Sequence, residues 1–364
     1  VAAQTPNITW ECATTNSGWT ARSGHVSVVF DEKMWVLGGY YKNDIWYSQD
    51  GQSWSAATLS APWAARRDHA AVVFNNLMYV MGGRSTSAHL NDVWYSSDGL
   101  TWYEATEHAA WMERCRQVVV EYKSAMWLMG GSPPSMNDVW TSTDGVEWFE
   151  VASSSPWEGR WGHTLTVFND KMWIVGGSTG QGVSGTRQND VWCTENGVDW
   201  TLAVEHAPWA PRSGHSTVAL DGKLWVIGGA TGSATLNDVW SSQDGCTWTQ
   251  ENAQAPWTTR SVHTSVAFDD RLWIFGGEAA IGAPNNETWK SGPLERMHSA
   301  DTDGNGFISM TELLRILQFF NMRGYCCDTQ GITADGYIPG PCENVSCERH
   351  DSDFLAPAWE ITLS

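Results

Sequence analysis

One pattern, recurring six times, constrains this chain more than any other feature. Gly-Gly pairs stand at Gly38-Gly39, Gly82-Gly83, Gly130-Gly131, Gly176-Gly177, Gly228-Gly229 and Gly276-Gly277, each after an apolar run such as Met34-Trp35-Val36-Leu37. A second column reads Asn-Asp-Val-Trp, as at Asn91 to Trp94, with a weaker copy from Asn286 to Trp289. A third is Trp-x-x-Arg-x-x-His, as at Trp209, Arg212 and His215, and a fourth is Asp/Asn-Gly-x-x-Trp, as at Asp144-Gly145 and Trp148. Successive Gly-Gly pairs lie 44, 48, 46, 52 and 48 residues apart, with 3, 7, 5, 11 and 7 residues between each pair and the next Asn. The difference is 41 every time, so all length variation sits in one connection.

Each repeat reads as four short strands. The first runs from His25 to Phe30 in the first copy, and a two-residue turn (Asp31-Glu32, or Asp221-Gly222 later) leads to the strand ending at Gly-Gly. The third carries Asn-Asp-Val-Trp, and an Asp-Gly turn, a strong hairpin signal, leads to the fourth. Tandem four-stranded units of this length predict the blades of a β-propeller. The chain's 25 Trp acquire a cause: 23 fall in four repeat columns, leaving Trp161 and Trp359 outside. Large indoles suit the flat contact between neighbouring blades.

These residues resemble Kelch repeats from residue 7 to 289. The Ser-x-Asp-Gly-x-x-Trp turns (Ser48 to Trp54, Ser142 to Trp148) are also similar to a shortened Asp-box. The resemblance implies an all-β, six-bladed propeller. The sixth unit lacks a closing Asp-Gly-x-x-Trp, yet Trp10 precedes Trp19 by nine residues, the interval that separates Trp54 from Trp63. Residues 7–13 are therefore expected to supply the missing strand and close the ring, hiding the sheet edges.

In such a meander the variable loops and the Trp-x-x-Arg-x-x-His connections share a face. The candidate binding face comprises Arg22, His25, Arg66, His69, Arg114, Gln117, Arg160, His163, Arg212, His215, Arg260 and His263, with Arg187 on the longest loop. Two readings compete: a ring of donors suited to a carboxylate or other anion, or residues repeated because they serve the blade itself, the favoured reading. Departures from symmetry at Tyr79, Cys115, Gln117 and Trp161 form no recognisable acid–base or nucleophile set. No sialidase-like or copper-radical set is evident, whereas paired carboxylates for glycoside hydrolysis are decided by separation in space.

After Trp289 the pattern stops. Residues 290–299 form a linker, and Asp301-Thr302-Asp303-Gly304-Asn305-Gly306-Phe307-Ile308-Ser309-Met310-Thr311-Glu312 follows. This matches a calcium loop, with Asp301, Asp303, Asn305, Ser309 and Glu312 as oxygen ligands, the Phe307 carbonyl as another, and Gly at position six. An amphipathic helix is expected over Leu313 to Asn321. A loop with one following helix resembles a dockerin module, and residues 351–364 look like a second copy that stops one residue short of its Glu. Cys326, Cys327, Cys342 and Cys347 crowd a segment too small for its own core and read as disulfide staples of undetermined pairing, with Cys12 a possible propeller-to-tail partner.

The net charge of −20 argues against nucleic acid, which needs clustered Lys and Arg. No apolar run reaches the ~18 residues of a spanning helix. Cysteine usage, and a chain opening Val1-Ala2-Ala3 without Met, favour a processed, secreted protein. The expected role is extracellular binding, adhesion or assembly, through a protein partner or self-association, with Ca²⁺ as cofactor. The rival is a carbohydrate-active enzyme or lectin using the variable-loop face.

Overall fold

The computed structural model describes residues 8–180, 185–280 and 282–293, and two short strands beyond them. The chain divides into two units, Val1–Leu294 and Glu295–Ser364, which places the division inside the expected linker. Among the described residues all regular structure is β, and no helix is long and apolar enough to cross a membrane. In the second unit, Tyr325–Cys327 pairs antiparallel with Tyr337–Pro339. The calcium loop, the expected helix, Cys342, Cys347 and the side chains of Cys326 and Cys327 lie outside the described residues.

The first unit is an all-β propeller of antiparallel sheets. Four sheets have four strands each, and a fifth of nine joins the meanders Val118–Ala152 and Thr164–Val204 through the two-residue strand Arg160–Trp161. The innermost strands (Val26–Phe30, Ala70–Phe74, Val118–Tyr122, Thr164–Phe168, Ser216–Leu220 and Thr264–Phe268) neighbour one another in that order, and the last returns to the first. They line an open axial hollow of about 360 Å³, walled by Val29, Val72, Val120, Leu165, Val218 and Val266 among others.

One sheet draws its strands from both ends of the first unit. Trp10–Thr14 pairs antiparallel with Thr288–Ser291, whose other neighbour is Arg271–Phe275. The closing strand thus begins slightly later than residue 7. Asn286 Nδ2 donates to the Trp19 carbonyl at 3.0 Å, as Asn43 does to that of Trp63 at 3.2 Å, so the closing joint repeats the internal ones.

The sequence columns map onto distinct jobs. In the two-residue turns between first and second strands, both residues have positive φ, as at Asn75 (47°) and Asn76 (58°), which matches the right-handed strand twist. In the Asp-Gly turns, Ser48 Oγ accepts from the Gly51 N–H at 2.8 Å, while Asp50 Oδ1 accepts from Gln52 and Ser53 N–H, each at 2.8 Å. Gly51 has φ 68°, and a Cβ there would stand 2.0 Å from the Trp273 ring of the adjacent sheet. Glycine is therefore required twice, by its backbone and by its neighbour.

Six repeat-related tryptophan pairs pack edge to face: Trp19–Trp54, Trp63–Trp102, Trp111–Trp148, Trp157–Trp200, Trp209–Trp248 and Trp257–Trp10, with centroids 4.5 to 6.2 Å apart, and Trp209 makes a further edge contact with Trp240. The Trp257–Trp10 pair again joins the two ends of the unit. Each such contact is worth about 0.5–1.5 kcal/mol beyond the area it buries.

Candidate binding face

The repeated arginines lie inside the protein. Arg22, Arg66, Arg114, Arg160, Arg212 and Arg260 are all at most 1% exposed. Arg22 donates through Nη1 and Nη2 to Asp44 Oδ1 and Oδ2, both at 2.7 Å, and through Nη1 to the Gly38 carbonyl at 2.8 Å. Arg66–Asp92, Arg114–Asp138, Arg160–Asp190 and Arg212–Asp238 repeat this bidentate geometry. In the sixth unit Glu287 takes the Asp place, accepting from Arg260 Nη2 at 2.7 Å. Each of these carboxylates also accepts from the indole two residues on, as Asp44 does from Trp46 at 2.9 Å. The guanidinium joins the Gly-Gly strand, the Asn-Asp-Val-Trp strand and, stacked on Trp19 at 5.5 Å, the incoming connection.

The histidines are equally internal. His25, His69, His163, His215 and His263 are 3–5% exposed. Burial, followed by the nearby guanidinium, pulls His25 and His215 down to about 3, and holds the other three well below the ordinary histidine value. They are therefore neutral at pH 7. Gln117 stands where a sixth histidine would, donating to the Met81 carbonyl at 3.0 Å. As a ring of donors offered to a ligand, the column is thus corrected: its arginine charges are bound to partners and its histidines are uncharged. Arg187, expected on the long loop, lies in the strand Thr186–Thr194, paired with Ser178, and is only partly buried.

Two residues lie between each Arg and His, and there the symmetry breaks. The second of them, Gly24, Asp68, Arg116, Gly162, Gly214 or Val262, has φ between 54° and 62° in every copy. Their backbones link from one repeat to the next. Asp68 N–H donates to the Gly24 carbonyl, Arg116 to Asp68, Gly214 to Gly162, Val262 to Gly214 and Gly24 to Val262, at 2.7 to 3.2 Å. These five bonds form a collar. Among the described residues no such bond joins Arg116 to Gly162, so the collar is open there.

The unique side chains gather along this collar. Asp68 is 5% exposed, and its Oδ2 lies 3.1 Å from Arg67 Nε, 3.5 Å from Arg116 Nε and 3.6 Å from Arg84 Nε. Glu278 lies 3.9 Å from Arg67 Nη2 and accepts from Ser23 Oγ. Burial works against the Arg67 charge, but Asp68 and Glu278 outweigh it and hold its pKa up. Arg67 and Arg84 stand over the Tyr41 ring at 5.8 and 5.7 Å. Arg116 and Arg187 stand over the Trp161 ring at 4.4 and 5.2 Å. Arg187 also donates to Ser178 Oγ and the Gly185 carbonyl, and Trp161 Nε1 donates to the Gly180 carbonyl.

Sequence reasoning singled out Trp161, Cys115 and Arg187 but missed Arg67, Asp68, Arg84, Arg116 and Glu278. The available signal covered Asp68 and Arg116 alone, which stand in a column that holds Gly or Val in the other copies. Cys12, weighed as a possible propeller-to-tail partner, is a free thiol, as are Cys115, Cys193 and Cys246. The Cys12 strand instead binds the Trp289 strand through its backbone. An adjoining hollow of about 520 Å³ is lined by Ser135, Glu158, Gly159, Thr179, Gly180, Gly185 and Thr186, with Glu158 the one carboxylate among them.

The fold and these repeats define a Kelch-type β-propeller. Comparison with known proteins agrees. Residues 112–277 match the KLHDC2/KLHL20/DRC7 Kelch-repeats domain and residues 65–105 match the Kelch motif. A solved structure described as "Structure of YjhT" superposes with a TM-score of 0.65 at 16% identity, covering 76% of this chain and 96% of that one. At that identity the likeness concerns the fold. No curated protein matches the sequence.

Proposed function

We propose that this chain is a secreted, six-bladed Kelch-type propeller with a calcium-stabilised tail, acting as an extracellular binding, adhesion or assembly subunit. The cyclic order of the six innermost strands and the six tryptophan pairs support the blade count. The observation that carries the binding role is the division of labour in the Arg-to-His connections. The repeated residues hold the blades, while the residues between them break symmetry in a cluster of arginines, carboxylates and aromatics. Unique polar chemistry on connections held by a rigid scaffold is where binding usually resides. The tail, read from Asp301, Asp303, Asn305, Phe307, Ser309 and Glu312, would be the attachment device once Ca²⁺ fills its oxygen ligands.

Sedimentation velocity of the full chain, with Ca²⁺ and with chelator, tests this reading. Attachment to a second copy through the tail predicts a larger species only with Ca²⁺, lost in Glu312→Gln. A monomer under both conditions would count against self-assembly, and calorimetry detecting no Ca²⁺ binding would remove the proposed tail function.

A further inference from the structure

The break in the collar has the makings of an anion site. Asp68 and Arg116 are non-glycine residues held in the left-handed region, at φ 55° and 59°. Asp68 draws the Nε edges of Arg84 and Arg116 inward, and among the described residues neither Nη1 nor Nη2 of these two arginines has a hydrogen-bond partner. Beside them, the collar bond that would run from the Gly162 N–H to the Arg116 carbonyl is missing. Trp161 supports Arg116, and Arg187 stands over the same ring. Four guanidiniums against two carboxylates leave two positive charges here, 4 − 2, in a chain of net charge −20. Burial, and then the neighbouring Arg116, lower the Arg187 pKa, so these cations repel and a bound anion would relieve them.

We propose that this cluster is an oxyanion-binding site, in which Arg84, Arg116 and the Gly162 N–H grip a carboxylate or sulfate group, with Asp68 and Trp161 as positioning residues. It rests on the reading of this face as the binding face and deepens it by naming the ligand chemistry. Planar guanidiniums suit such oxygens because two parallel N–H donors match two acceptors. Asp68 makes the site selective for fixed, paired oxygens, since an unstructured cation patch would lack its alignment.

The test is an NMR titration of the full chain at constant ionic strength, following the Trp161 indole N–H, assigned by its loss in Trp161→Phe. The probes are sodium glutarate, sodium sulfate and neutral glutaramide. Saturable shifts with glutarate or sulfate, none with glutaramide, and affinity at least about tenfold weaker in Arg84→Gln/Arg116→Gln support the site. The stronger of the two anions identifies the ligand's acid group. No saturable response to either anion, or an unchanged response in the double variant, overturns it. The broader reading fails separately: anion binding without Ca²⁺-dependent association leaves this site standing and removes the assembly role, and the reverse pattern removes the site alone.

Discussion

Arg66 and Arg67 are adjacent in sequence and belong to different systems. Arg66 is buried, held bidentately by Asp92 at 2.6 and 2.7 Å, and has a counterpart in each of the other five repeats. Arg67 has no arginine counterpart; Ser23, Cys115, Trp161, Ser213 and Ser261 fill its place elsewhere. It shares Asp68 with Arg84 and Arg116, which are 38% and 31% exposed. A residue required by every blade is satisfied inside the blade. A residue required once can be left with unused donors. Repetition therefore marks structure in this chain, and departures from repetition mark the candidate site.

The comparison can be broken first on its structural side. Deleting residues 1–14 removes the strand that pairs with Thr288–Ser291 and the Trp10 partner of Trp257. Thermal melts are expected to fall by on the order of ten degrees or more, given about 2–4 °C per kcal/mol for units of this size class. An unchanged melt would show that the ring does not depend on this closure. Next in size is Arg212→Gln, which strands Asp238 against a partly buried wall and removes a donor from the Gly228 carbonyl. Breaking a buried pair costs about 3–5 kcal/mol, read as a lower urea midpoint.

The histidines sharpen the same side through pH. Their folded pKa values lie below the unfolded value near 6.5, so the unfolded chain binds more protons on acidification. Stability is fully present above about pH 6.5 and is lost as pH falls toward about 3, at roughly 1 kcal/mol per histidine per pH unit. His69 and His163, whose ring nitrogens have no hydrogen-bond partner among the described residues, are the cleanest positions to change. His69→Gln/His163→Gln, imitating Gln117, should flatten the pH 5–6.5 slope of unfolding free energy by about two protons. An unaltered slope would mean these histidines are not buried neutral.

Much of the propeller was legible because its chemistry repeats. Trp10, nine residues before Trp19, pointed to a closing strand because Trp54 and Trp63 share that interval. The Arg–Asp lattice was only half legible. Arg and Asp were both visible columns, but they are 22 to 30 residues apart, with the variable loop between them, so spacing could not pair them. The collar was not legible at all. It depends on a shared left-handed backbone at residues as unlike as Gly24, Asp68 and Val262, and on contacts between successive repeats. Arg84 entered the site from a different connection, which no local pattern announces.

The most direct test sets Arg66→Gln beside Arg84→Gln/Arg116→Gln, measuring urea unfolding and glutarate or sulfate binding for each. Arg66→Gln is expected to lose about 3–5 kcal/mol. The double variant leaves Asp68 its hydrogen bond from Arg67 and is expected to lose less stability than Arg66→Gln, while losing the anion. Equal destabilisation of the two proteins, or anion binding that survives in the double variant, would contradict the division between repeated structural arginines and a single functional cluster.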